Sequence, residues 1–284
     1  MARITLRIAL ILTLVPAACH APARGGMADR AEGEALTVMS FNIRYGTAAD
    51  GDHVWPARRD LVAERIASVA PDVLAIQEGL DFQLLELAEV LSGYTKLGQH
   101  RDGGTGGEFS GLYVRESTVE LLAWGEMWLS PTPELVASRG WDAALPRMAV
   151  WADVQSRSGG RALRIYGTHY DHRGAEARLA SSHLILSDAF NQPAVVVTGD
   201  FNAMEGSAPM QVFFQRGWLS AVRELHPEDT RGTFNGFRDP SGGRRIDHLM
   251  YRGVQAVSAQ ILGGRLGDLF PSDHDAVVAR FRVD

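Results

Sequence analysis

One local pattern, repeated along the chain, constrains the fold more than anything else in the sequence. A short run rich in apolar and β-branched residues ends abruptly in a cluster of Asp, Glu, Asn or His. The runs lie at 36–43, 73–76, 109–114, 148–154, 163–168, 194–198, 246–251 and 276–281. Each has strand length, and their composition suits burial. Helical patterns separate some of them: 56–70, with Leu61, Arg65, Ile66 and Val69 at helical spacing and Pro71 as the stop, then 81–91 and 173–190. Strands alternating with helices imply an α/β protein. No fixed-period repeat and no second linker follow residue 35, so 36–284 reads as one domain.

With 284 residues, 45% apolar and 22% charged, the chain can bury a substantial core, which excludes a disordered or collagen-like protein. Its 28 basic residues are outnumbered by 34 acidic ones, a net charge of -6. That balance disfavours a grip on nucleic acid by bulk electrostatics, because such binders neutralise many phosphates with a basic face. A nucleic acid substrate stays open but is not favoured. Lys96 is the only lysine. Arginine therefore carries almost all the positive charge, which suits forked contacts to phosphate, although genomic codon bias explains it equally well.

At the N-terminus, Arg3 and Arg7 precede an apolar run over 8–15 and then Pro16-Ala17-Ala18-Cys19. The order basic, apolar, small is that of an export signal, and the run is too short to span a bilayer. Residues 1–23 are read as this signal and 24–35 as a linker, which predicts an extracytoplasmic protein: periplasmic, secreted or lipid-anchored. Cys19 is the only cysteine, so no internal disulfide can form. Ala-Ala-Cys resembles a lipoprotein lipobox with Pro16 in place of the usual Leu, while Ala21-Pro22-Ala23 offers an ordinary cleavage site. A lipid at Cys19 would be the only membrane link.

The polar clusters carry the chemistry. Asn42, Glu78, His169 with Asp171, Asp200 with Asn202, Asp247, and Asp273 with His274 each sit at the end or the start of an apolar run. Singly, any of them reads as a cap or turn residue. Collectively they deliver side chains that converge if the strands are neighbours. Carboxylates and amides suit a hard divalent cation, Mg²⁺ or Mn²⁺ with Ca²⁺ as a further candidate, whereas zinc would call for more His or Cys. A phosphate would complete such a shell. The Gly-rich stretch 99–108 lacks the context and the Lys of a P-loop, and reads as a mobile surface loop or a turn near the site.

Taken in order, Ser40-Phe41-Asn42-Ile43-Arg44, Gln77-Glu78, Thr168-His169, Gly199-Asp200-Phe201-Asn202, Arg245-Ile246-Asp247 and Ser272-Asp273-His274 resemble the endonuclease/exonuclease/phosphatase superfamily over 36–282. The segments 141–147 and 169–173 look like its exported bacterial members. The resemblance implies a four-layered α/β sandwich, two mixed β-sheets face to face with helices outside, and metal-dependent hydrolysis of a phosphate ester. It also implies roles. Glu78 matches the principal metal-binding glutamate, helped by Asn42 and Asp273. His274 matches the catalytic histidine and Asp247 the carboxylate that orients it. Asp200 and Asn202 match the pair that positions and activates the attacking water, and His169 a donor to a phosphate oxygen. Whether Asp200 or His274 takes the proton is left open.

Arg147 and Asp171 are placed on the substrate side. A surface ion pair is the alternative for Arg147, and a polar turn entering the helix is the alternative for Asp171. The stretch Asp50-Gly51-Asp52-His53 could hold a second cation but reads better as a solvated turn. The expected function is an exported phosphodiesterase or phosphatase, monomeric, acting on a small or lipid-linked phosphate ester. An exported nuclease is the close alternative, and a catalytically dead phospho-ligand binder the more distant one.

Overall fold

The computed structural model describes residues 35–238 and 243–283. The expected export signal, Cys19 and most of the linker fall outside the described residues. Two six-stranded mixed sheets carry the fold. The first has the order β11-β12-β1-β2-β4-β3, from β1 (Ala35–Asn42), β2 (Val73–Gly79), β3 (Tyr94–Leu97), β4 (Phe109–Arg115), β11 (Gln255–Leu262) and β12 (Ala276–Arg282). The second has the order β5-β6-β7-β8-β10-β9, from β5 (Val119–Trp128), β6 (Met148–Ser156), β7 (Leu163–His169), β8 (Val195–Asp200), β9 (Leu219–Ser220) and β10 (Asp247–Arg252).

Period-2 side-chain alternation splits each central strand between two cores. In β1, Val38 joins Val73, Ala75 and Leu112 against Val150, Ile165 and Val196 of the facing sheet. Met39 and Phe41 point the other way, onto Trp55, Val62 and Ile66 of α1 (Trp55–Val69) and Leu84 of α2 (Asp81–Glu86). In the second sheet Tyr166, Val195 and Val197 face Ile185 and Leu186 of α3 (Ala175–Asp188) and Met210 and Phe213 of α4 (Ala208–Gln215). Helix, sheet, sheet, helix is thus the layer order, as the resemblance implied. A fifth short helix, α5 (Ala221–Leu225), precedes β10.

All eight apolar runs are strands. Four strands escaped the sequence reading. β5 is ten residues long, but as an edge strand it leaves most of its side chains at least partly exposed. β11 alternates on one covered face, and β3 and β9 are short. The helix expected over 81–91 stops at Glu86 and continues as turns. In α1 the buried face is Trp55, Arg58, Val62 and Ile66 rather than the stripe through Leu61 and Arg65, because Arg58 is wholly buried. The Gly-rich stretch is a tight turn extending the β3–β4 pair, held by Arg101 N to Glu108 O (3.0 Å) and His100 N to Gly104 O (3.0 Å). Among the described residues no helix is long and apolar enough to cross a membrane.

Candidate active site

Two parallel pairs, β1–β2 and β7–β8, bring their C-terminal ends to one edge of the sandwich. Strand register does much of the placing: His169 lies opposite Asp200, and Asp200 opposite Asp247 on the antiparallel neighbour β10. The amide Nδ2 of Asn42, at the end of β1, donates to Glu78 Oε1 (2.9 Å) and crosses to the other sheet to donate to Asp200 Oδ2 (3.1 Å). Ser272 Oγ donates to the Asn42 carbonyl (2.7 Å), tying the Ser-Asp-His turn before β12 to the same point.

Two local distortions aim the carboxylates. Glu78 has φ of +63° at a register irregularity between Ile76 and Gly79. Such a conformation is costly for a residue with a Cβ, and a bulge re-aims side chains at a sheet end. Its carboxylate accepts from Asn42 and from the Tyr45 amide (3.1 Å). Asp200 follows Gly199, whose φ of +149° and close approach to the Thr168 carbonyl leave no space for a Cβ.

Asp200 sits at the centre of the site. Its Oδ2 lies 3.5 Å from His169 Nε2 and 3.8 Å from His274 Nε2. His274 Nδ1 is 2.9 Å from Asp247 Oδ2, so a carboxylate holds one ring nitrogen while the other faces Asp200. Burial, reinforced by the charge of Asp247, pushes the Asp200 carboxyl up to about 7. Burial alone would lower His274, but the carboxylates of Asp247 and Asp200 hold it well above the usual imidazole range. His169 goes the other way: burial, then the positive charge of Arg147 and Arg101, keeps it neutral. Three buried groups a few ångströms apart therefore have three different proton affinities, the signature of an acid–base site.

The remaining sequence-selected residues divide into two groups. Asn202 closes on the site: its amide N–H donates to Asp200 Oδ1 (2.8 Å) and its Nδ2 to the Tyr170 carbonyl (3.1 Å). Asp273 is buried beside it and 3.6 Å from Arg44, which Asp50 grips through two hydrogen bonds of 3.0 and 2.9 Å. That grip is what the Asp50-Gly51-Asp52-His53 stretch does. Asn42 has its amide N–H₂ on the carboxylates, and its Oδ1 accepts from the Arg44 amide (3.0 Å), so it organises the carboxylates. Asp171 is corrected more plainly. Its carboxylate accepts from the backbone N–H of Arg173, Gly174, Ala144 and Leu145, which commits it to the turn and not to substrate. Burial would raise its pKa, but these amides and Arg147 bring it down to about 2. Arg147 is buried, 3.1 Å from His172 Nδ1 and 3.6 Å from Asp171, and not in a surface pair.

Sequence reasoning missed the residues that hold these loops together. Arg58 is fully buried in α1, where its guanidinium donates to the carbonyls of Ile43, Arg44 (2.8 Å), His53 (3.0 Å) and Pro271 (3.2 Å). It clamps the end of β1 to the turn carrying Asp273 and His274. Thr233 Oγ1 accepts from the amides of Ile246 and Asp247 (3.0 Å each), fixing the start of β10. A charged residue on an apolar helix face was a signal available for Arg58; nothing local marks Thr233.

The donor set fits a hard divalent cation. Ligand atoms of Glu78, His169 and Asp200 lie within 4.8 Å of one another, as do those of Asp200, Asp247 and His274. A buried carboxyl whose proton affinity is raised by its neighbours is the group that a cation would relieve.

The same assembly has relatives. A model of the endonuclease/exonuclease/phosphatase family matches residues 39–274. The chain belongs to this family. A solved endonuclease/exonuclease/phosphatase from Bacteroides vulgatus is similar with 28% identity and a TM-score of 0.80 over 88% of this chain and 100% of that one. The mannosyl-6-phosphatase of Bacteroides thetaiotaomicron is 27% identical, with a TM-score of 0.76 over 87% and 99%. TDP2 from D. rerio, solved with a single-stranded DNA product, is 20% identical with a TM-score of 0.68 over 87% and 98%, a likeness of fold. No curated protein sequence matches the chain. Membership in the family makes this a phosphoester hydrolase fold, and the residues above are where its chemistry would lie.

Proposed function

We propose that this family member is an exported, monomeric, divalent-metal-dependent phosphoesterase that hydrolyses a P–O bond of a small or lipid-linked phosphate ester. The observation that carries the reading is that two clusters drawn from both sheets, Glu78–His169–Asp200 and Asp200–Asp247–His274, meet at the buried carboxylate of Asp200. Glu78, helped by Asn42 and Asp273, would hold a Mg²⁺ or Mn²⁺ ion, with Asp200 beside it. Such an ion supplies Lewis-acid stabilisation of charge on phosphate oxygens.

The chain's own groups do the proton work. Asp200, with Asn202 beside it, accepts a proton from the attacking water. The water oxygen forms the new P–O bond, the ester P–O bond breaks, and the leaving alkoxide takes a proton from solvent. His274, held cationic by Asp247, and neutral His169 donate hydrogen bonds to the phosphate oxygens as charge builds there. The arrangement supports Asp200 over His274 as the proton acceptor.

Export rests on Arg3, Arg7 and the apolar run that follows. A small ester is favoured by the net charge of -6 and by the likeness to a sugar phosphatase. The test is hydrolysis of p-nitrophenyl phosphate and bis(p-nitrophenyl) phosphate with Mg²⁺ or Mn²⁺, beside plasmid DNA and RNA, with chelator controls. Turnover of a small ester that chelation abolishes is expected. Cleavage of nucleic acid with both small esters intact would make the protein a nuclease, and no metal-dependent turnover of any of the four would overturn the reading.

A further inference from the structure

Just beyond Asn42, Arg44 has a φ of +56°. Left-handed backbone is costly for a residue with a Cβ and is ordinarily given to glycine. Three hydrogen bonds hold the chain there. The Arg44 N–H donates to Asn42 Oδ1 (3.0 Å), and its carbonyl accepts from Arg58 (2.8 Å) and from Gln83 Nε2 (3.0 Å). A glycine would take this conformation free of strain, so what the position requires is the side chain.

That side chain is fixed as firmly as its backbone. Nε and Nη2 fork onto Asp50, the guanidinium lies 4.7 Å over the Tyr45 ring, and Nη1 comes to 3.6 Å from Asp273. A guanidinium cannot shed its proton, so a permanent positive charge stands beside Asp273, within electrostatic reach of Glu78. Five carboxylates surround this edge: Asp50, Glu78, Asp200, Asp247 and Asp273. Three cations answer them: Arg44, the buried Arg58 and the His274 ring that Asp247 holds charged. Farther out, Arg101 pairs with Glu108 and Arg147 with Asp171, which adds nothing to the balance. Two negative charges remain, the amount that one divalent ion cancels.

We infer that Arg44 is a built-in second cation, a guanidinium locked by Asp50 beside Asp273 that restricts the site to a single divalent ion. This rests on the metal-dependent reading above and deepens it. Sites that use two ions need carboxylates free to hold each of them. Here Asp50 and Asp273 already lie against the guanidinium, and their side chains are only 11% and 8% exposed. Without Arg44 three negative charges would remain, and these two carboxylates would lose their counter-charge while still largely withdrawn from water. A second divalent ion is what such a pair would then recruit. Arg44 is thus a positioning residue: it settles how many ions the carboxylates gather, and it does so through a charge that no chelator can remove.

The test counts bound Mn²⁺ by titration calorimetry on the whole protein, in wild type and in Arg44→Gly, Arg44→Gln and Arg44→Lys, each checked for native circular dichroism. Glycine suits the backbone at this position, so Arg44→Gly removes the charge while relieving strain, and Arg44→Gln is a second removal that keeps part of the side chain. Wild type should bind one ion. Arg44→Gly and Arg44→Gln should bind two, and Arg44→Lys, which keeps the charge, should stay at one. Two ions in wild type, a count that remains at one when the charge is removed, or a lysine variant that behaves like the glycine variant overturns the role of Arg44 and leaves the metal-dependent phosphoesterase reading intact. No bound ion in wild type is a different result, and it brings down both.

Discussion

A histidine with 6% of its surface exposed would normally be neutral, because burial disfavours the charged ring. In His274 the carboxylates of Asp247 and Asp200 outweigh that penalty, and the identity of one neighbour decides the state of the ring. Asp247→Asn should therefore lower kcat by on the order of 10²–10⁴, with its circular dichroism unchanged. An undiminished rate would remove His274 from the reaction. Glu78→Gln removes a charge without changing shape and should abolish turnover to a similar degree, again in a folded protein.

Asp171 makes the opposite residue-scale case, a carboxylate used by the backbone. Its folded pKa of about 2 lies below its ordinary 3.8, so it adds stability that is complete above about pH 4 and is lost as pH falls through about 2. Asp171→Asn should thus be less stable than wild type at pH 7. The gap should close on acidification, as read by urea midpoints at several pH values; a gap that widens towards pH 2 would contradict the assignment.

At the scale of the element, the strands deliver function through their irregular ends. Gly199 permits β8 to press against the Thr168 carbonyl of β7, which sets His169 beside Asp200. A Cβ there meets backbone, not a side chain that could swing away, and φ of +149° is unfavourable for any other residue. Gly199→Ala should cost about 3 kcal/mol, measured by denaturant unfolding, and lower activity beyond what the lost stability explains. Glu78 carries comparable strain at the end of β2, where the register shifts. The Gly-rich turn is likewise ordered by its own ladder and by the Trp128 indole, which donates to the Arg101 carbonyl.

At the scale of the whole molecule, the two sheets share one charge problem. Glu78, Asp200, Asp247 and Asp273 crowd one edge, and burial raises the proton affinity of Asp200 and Asp273. A divalent cation bound there stabilises the folded state by mass action, by about 2.7 kcal/mol at a hundredfold excess over Kd. Mn²⁺ should raise the Tm and chelator should reverse it. Asp200→Asn should raise the metal-free Tm, since it removes a buried repelled charge, and should flatten the response to Mn²⁺. A metal response equal to that of wild type would mean that the charge of Asp200 does not contribute to holding the cation.

Much of this was legible in the residue string. The eight central strands announce themselves because strands buried on both faces must be continuously apolar, and the polar residues that end them stand out against that background. Asn42, Glu78, His169, Asp200, Asn202, Asp247, Asp273 and His274 were all selected that way, and the fold gathers them at one end. Edge strand β5 was hidden because a half-exposed strand has no such contrast. What lay beyond the string was every role that depends on a distant partner. Whether Asp171 meets substrate or caps a turn, whether Arg58 is solvated or clamps two loops, and which carboxyl is proton-hungry are settled by groups far away in sequence. Hydrophobic pattern is a local property and survives in the string, whereas proton affinity and hydrogen-bond partnership are properties of a neighbourhood that comes into being only when the sheets close.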